Sequence, residues 1–151
     1  LEARRRAIES VASFNSPQVE QIIQEAYEDG NPELKQSAIY AMGRSSDSKW
    51  MPTVIQDTPN ADPAIRYEAA TACGHLGEED AAPHVIALLN DDDSLVQLAS
   101  VRALGAIGGS LSKRALQQCL LMGDDAIEEA AKTALEEIEF DDDPMGFSSE
   151  G

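Results

Sequence analysis

Two histidines, two cysteines and short runs of carboxylates are the residues with which this chain of 151 could do chemistry. Metal-assisted hydrolysis or oxidation needs His, Cys or carboxylate ligands at spacings that bring them to one point. His75 is followed by Leu76 and His84 by Val85, so neither opens an H-E-x-x-H pattern. Cys73 and Cys119 stand alone, without ligand spacing, and read as small core residues of a reducing compartment. "NDDDS" (90–94) and "FDDDP" (140–144) lack the Asp-x-Asp spacing and glycine of a calcium loop. "GAIGG" (105–109) imitates a phosphate loop, but it ends a helical pattern instead of following a strand and has no G-K-[ST]. The expectation is no catalytic residue, no metal, no cofactor, and a protein that is not an enzyme.

The remaining chemistry is recognition. The tyrosines and arginines vary from copy to copy, but they hang on a frame of core positions that repeats at a fixed interval. Asn31, Asp62, Asp93 and Asp124 mark such a frame, each 31 residues from the next with no insertion. Three residues on stand Leu34, Ile65, Val96 and Ile127. Ala38, Ala69, Ser100 and Ala131 follow at offset 7, Ala41, Ala72, Ala103 and Ala134 at offset 10. With offsets 11 and 14 these trace one stripe of an α-helix, and its small residues allow a neighbour to approach closely. A fixed period of this length marks a stacked repeat array.

A second helical pattern follows in each unit: "SPQVEQIIQEAY", "DSKWMPTVIQDT", "EEDAAPHVIALLN" and "SLSKRALQQCLLM". Ser16 before Pro17 reads as an N-cap before proline at the first helical position. Pro52 and Pro83 coincide one period apart, near the helix start where a missing N–H costs least. The residue at position zero caps the other helix. Gly43, Gly74 and Gly105 are expected to let the chain leave that helix with positive φ, with Gly77 and Gly108 three residues further on. Trp50 falls where other copies have Val19, Ala81 and Ser112 and reads as an apolar plug of the outer row. The opening residues fall in the same frame through Ala7, Ile8, Val11 and Phe14, giving five copies of one helix and four of the other. The chain thus opens in mid-unit, as a fragment of a longer array would. In the last copy Glu136 and Glu139 replace the glycines, giving a polar terminal face.

The frame D-P-x-[VIL]-[RK]-x-x-A-x-x-A-[LMC]-G, followed by a proline-containing helix, resembles the bacterial and archaeal HEAT-like repeat, a subclass also found in phycobilisome lyases. The resemblance covers residues 1–139 and implies an all-α fold: a right-handed α-solenoid of HEAT/armadillo-type hairpins with about nine helices. Residues 140–151 are expected to form an acidic, disordered tail that could fold back on the Arg44–Tyr67–Arg102 strip. In such arrays the helix with the Ala-x-x-Ala stripe lines the concave face. Lys35 and Arg66 match the family's basic position, often paired with the position-zero aspartates. HEAT-like hydroxylases that bind iron use repeated His-Glu pairs, which the two histidines here do not form.

Offsets 5, 6, 9 and 13 are those expected to point away from the stack. They give Arg5, Arg6 and Glu9; Gln36, Ser37, Tyr40 and Arg44; Tyr67, Glu68, Thr71 and His75; Leu98 and Arg102; Glu129 and Thr133. Arg5, Gln36, Tyr40, Arg44, Tyr67, Thr71, His75, Leu98 and Arg102 are the candidate partner-binding residues, since aromatics and Arg dominate binding hot spots. A net charge of −17 argues against nucleic acid or an anionic membrane as partner. The basic residues that exist gather on the inner helices (Arg4, Arg5, Arg6, Lys35, Arg44, Arg66, Arg102), while 124–151 holds eleven acids and one Lys. The expected function is a cytoplasmic, non-catalytic scaffold gripping an acidic or aromatic segment of another protein or peptide. The resemblance offers the alternative of a phycobilisome-lyase-like or chaperone-like subunit that handles a bilin or its carrier protein.

Overall fold

The structure is a computed structural model and describes residues 1–122 and 124–145. Among these there are nine α-helices and no strand: α1 (Glu2–Ser10), α2 (Pro17–Glu28), α3 (Pro32–Arg44), α4 (Met51–Gln56), α5 (Pro63–Leu76), α6 (Ala82–Ile86), α7 (Ser94–Ile107), α8 (Gly109–Met122) and α9 (Asp125–Asp142). The odd-numbered helices lie side by side, α1 on α3, α3 on α5, α5 on α7 and α7 on α9. The even-numbered helices form an outer row, each packed on the inner helix that follows it. The fold is an all-α solenoid.

Position zero does what its residue types dictate. The Asn31 side chain accepts from the N–H groups of Glu33 and Leu34, Asp62 from Ala64, Asp93 from Leu95 and Val96, and Asp124 from Ile127. Each closes orphan donors at a helix start. Ser16 caps α2 through Val19, with Pro17 in the first turn.

The outer helices of the middle units are shorter than their sequence pattern suggests. Pro52 and Pro83 have no N–H to bond four residues back, so Ser48–Trp50 and Glu79–Ala81 close as 3-10 turns before the α-helix begins. Trp50 is buried beneath Lys49, whose ammonium stands 5.5 Å from the indole centroid.

Gly43, Gly74 and Gly105 differ from expectation. They lie inside α3, α5 and α7 with ordinary negative φ; the positive φ belongs to Gly77 (68°) and Gly108 (71°). Their role is contact. A Cβ on Gly43 would stand 2.8 Å from Ala72 Cα, one on Gly74 2.9 Å from Ala103 Cα, and one on Gly105 2.8 Å from Ala134 Cβ. α5, α7 and α9 thus each set an alanine against the bare backbone of the inner helix before it.

Ser112 is the one flaw in the core among the described residues. It is fully buried at the position shared with Trp50 and Ala81, and its hydroxyl makes no hydrogen bond. A buried hydroxyl without a partner costs about 1 kcal/mol or more. Ser112→Ala should therefore raise the stability by about 1 kcal/mol, read as a higher urea midpoint at unchanged m-value.

Candidate functional site

The inner face is built in rows. Arg5, Gln36, Tyr67, Leu98 and Glu129 share offset 5; Tyr40, Thr71, Arg102 and Thr133 share offset 9; Arg44, His75, Ala106 and Glu137 share offset 13. Because glycine and alanine draw the helices together, the floor between the rows is low and the longer side chains form its rims. Tyr67, Thr71, His75 and Arg102 rim a cavity of about 260 Å³ floored by Gly74, Ala99, Ala103 and Ala106. Leu98 and Arg102 border the next, about 420 Å³, with Glu129, Thr133 and Glu137 on the far side. A third of about 520 Å³ continues past Thr133 and Glu137 to Phe140 and Asp141. Shared lining residues join the three into one groove across α5, α7 and α9.

None of the nine candidate residues is buried; Arg44, His75 and Arg102 are exposed and the other six half-buried. They divide by what already holds them. Arg5 donates to Ser37 Oγ at 2.9 Å and pairs with Glu33 at 3.5 Å, while Gln36 donates to Glu68 at 3.2 Å. These links tie one inner helix to the next. Ser37, expected on the open strip, is buried and donates to Glu9. Arg44 and Arg102 make no ion pair or hydrogen bond among the described residues, whereas Arg4, Arg5, Arg6, Lys35 and Arg66 all pair with acids. Partial burial of the His75 ring, and then the charge of Arg44, hold its imidazole below the ordinary value and so neutral at pH 7. Burial pushes the Glu68 carboxyl up, against the hydrogen bond from Gln36. Glu137 was missed in the sequence, although its offset is that of Arg44 and His75.

Lys35 and Arg66 pair with acids other than the capping aspartates. Arg66 grips Asp91 through Nε (2.7 Å) and Nη2 (2.9 Å) and spends Nη1 on the Asn60 and Ala61 carbonyls. Lys35 stands 3.6 Å from the buried Asp57, which also accepts from Tyr27 (2.6 Å) and Asn60 (3.1 Å). The position-zero carboxylates face the helix N–H groups, so the bases reach loop acids instead. Burial and Asp57 together push the Tyr27 phenol up.

Cys73 is buried, which pushes its thiol up to about 12, and the half-buried Cys119 is raised too; both are free. A protonated thiol is a poor nucleophile. No group of three His, Cys, Asp or Glu that could hold a metal ion occurs among the described residues. His75 and His84 have no glutamate beside them, so the residues present do not fit the His-Glu pairs of the iron-binding hydroxylases. No helix among the described residues is long and apolar enough to cross a membrane.

Comparison with known proteins places this geometry. The chain is 32% identical over 113 residues to deoxyhypusine hydroxylase from Mus musculus, covering 72% of this chain and 35% of the relative. The human protein of the same name is 30% identical over 104 residues, covering 66% and 33%. The chain thus spans about a third of the length of these relatives. They carry the name of an enzyme, which contradicts the expectation of a protein that is not an enzyme. Among solved structures, the complex of CpcE and CpcF of phycocyanin lyase from Nostoc superposes with a TM-score of 0.75 at 23% identity, over 91% of this chain and 60% of that one. An engineered protein follows with a TM-score of 0.63 at 20% identity, over 89% and 71%. Both likenesses concern the fold alone. Residues 51–136, more than half of the chain, match the family profile described as HEAT repeats, and the chain belongs to that family.

Proposed function

We propose that this repeat scaffold holds an extended acidic and aromatic segment of another protein along its concave face, over α3, α5 and α7. The observation that carries the reading is the pair Arg44 and Arg102. In a chain of net charge −17 with acids to spare, these two guanidiniums remain without a carboxylate among the described residues. They flank Tyr40, Tyr67, Thr71 and His75, which offer aromatic faces and hydroxyls between the two charges. Arg and Tyr side chains provide large contact area and charge-assisted bonds at modest entropic cost. A carboxylate brought to Arg44 would also favour protonation of His75, adding a second attraction as pH falls.

Selection from a displayed random-peptide library on the wild-type protein tests the proposal. Peptides carrying an acid and an aromatic residue should be enriched. Arg44→Glu/Arg102→Glu should weaken them by tenfold or more, about 1.4 kcal/mol, with an unchanged thermal melt. Undiminished binding to that variant would contradict the reading.

The hydroxylase relatives favour a second setting for the same groove, as the surface of an enzyme that holds the molecule acted upon. Handling of a bilin is not adopted, since the lyase likeness concerns the fold alone.

A further inference from the structure

Charged side chains rim an otherwise largely apolar groove. Its α7 rim carries Arg102, with Arg44 beyond it on α3; its α9 rim carries Glu129 and Glu137, both exposed and in no ion pair among the described residues. The change of sign falls at the junction between α7 and α9. The last turns of α3 and α5 hold Arg44 and His75, whereas that of α7 holds no base. The carbonyl end of a helix bears partial negative charge, and a cation there is stabilising. Instead a carboxylate lies against it, with Glu137 Oε2 3.2 Å from where a Gly105 Cβ would stand. Glu137 beside that carbonyl end and Glu129 about two turns earlier on α9 rim a cavity with Arg102 without pairing to it, and leave a place for a positive group.

Resting on the scaffold reading above, we infer that the occupant is an extended protein segment of two signs. One acidic residue meets Arg102 and a second, about two helix spacings away, meets Arg44, while a Lys or Arg on the other side enters the cavity rimmed by Glu129 and Glu137. Packed helices stand about 8–10 Å apart and an extended chain advances about 3.3 Å per residue, so acid and base lie about three residues apart. The direction of the charge gradient fixes which end of the segment lies over α9. Opposite charges set register and suppress wrong orientations more than they raise affinity.

The display selection separates this inference from the reading beneath it. Wild-type protein should enrich peptides with an acid and a base at a constant spacing. Glu129→Lys/Glu137→Lys should weaken those peptides about tenfold and, on reselection, enrich an acid where the base had been. Glu129→Gln/Glu137→Gln, which keeps shape and removes charge, should lose the base preference alone. If acids are enriched and lost with Arg44→Glu/Arg102→Glu while no base is enriched and the Glu129/Glu137 variants bind as wild type, the two-signed occupant is wrong and the scaffold reading stands. If wild-type peptides ignore Arg44 and Arg102 as well, both fall.

Discussion

Gly74→Leu should cost about 3 kcal/mol of stability, toward the upper end for overpacking, and should broaden the unfolding transition. The first added carbon would already stand 2.9 Å from Ala103 Cα and 3.2 Å from Ala103 Cβ, with Ala103 itself buried. Backbone on the far side cannot rotate away as a flexible side chain would, so α5 and α7 must separate. In a solenoid each unit is held mainly by its neighbours, so parting two inner helices at mid-array divides one cooperative block into two. The better helix propensity of leucine returns only about 0.8 kcal/mol. Urea denaturation followed by circular dichroism would register both effects.

The second large effect concerns the Arg66–Asp91 link. Removing the carboxylate with Asp91→Ala strips Arg66 of two charge-assisted bonds and the Asp93 N–H of its acceptor, costing about 2 kcal/mol. The same pair governs acid sensitivity. Hydrogen bonds from Arg66 hold the Asp91 carboxyl below its ordinary value, helped by the Asp93 N–H and opposed by burial. With the folded pKa depressed, the unfolded chain takes up the proton first as pH falls. This contribution is therefore complete above about pH 4 and fades as pH drops through the folded pKa. Stability measured from pH 5 downward should fall less steeply for Asp91→Asn than for the wild type.

The repeat was legible because its frame uses residues with one meaning each. An Asp or Asn before an apolar helical stripe is a cap, and Ala38, Ala69 and Ala131 at one offset are a buried seam. Glycine has two meanings, positive φ and absence of a side chain, and spacing does not separate them: Gly77 uses the first, Gly74 the second. Lys35 and Arg66 were recognisable as structural, but long side chains reach several acids, so their partners Asp57 and Asp91 emerged only in three dimensions. The splitting of the outer helices by Pro52 and Pro83 follows from the lost N–H, yet its extent depends on packing beneath Trp50. At the candidate site, the residues at offsets 5, 9 and 13 line up in rows along the inner helices, whereas Ser37 at offset 6 is buried. The offsets did not reveal that Arg5 and Gln36 are engaged between helices while Arg44 and Arg102 are not. Against the hydroxylases the sequence offers only that His75 and His84 form no His-Glu pair, a test of ligands that does not weigh overall similarity.

The central claim, that Arg44 and Arg102 await an acidic segment, is tested most directly by following arginine Nε–H and tyrosine ring signals by NMR as a selected peptide is added. Shifts should centre on Arg44, Arg102, Tyr40 and Tyr67, with Arg66 unmoved because Asp91 already holds it. Shifts centred on Trp50 and the outer helices α4 and α6, with Arg44 and Arg102 unchanged, would contradict the account.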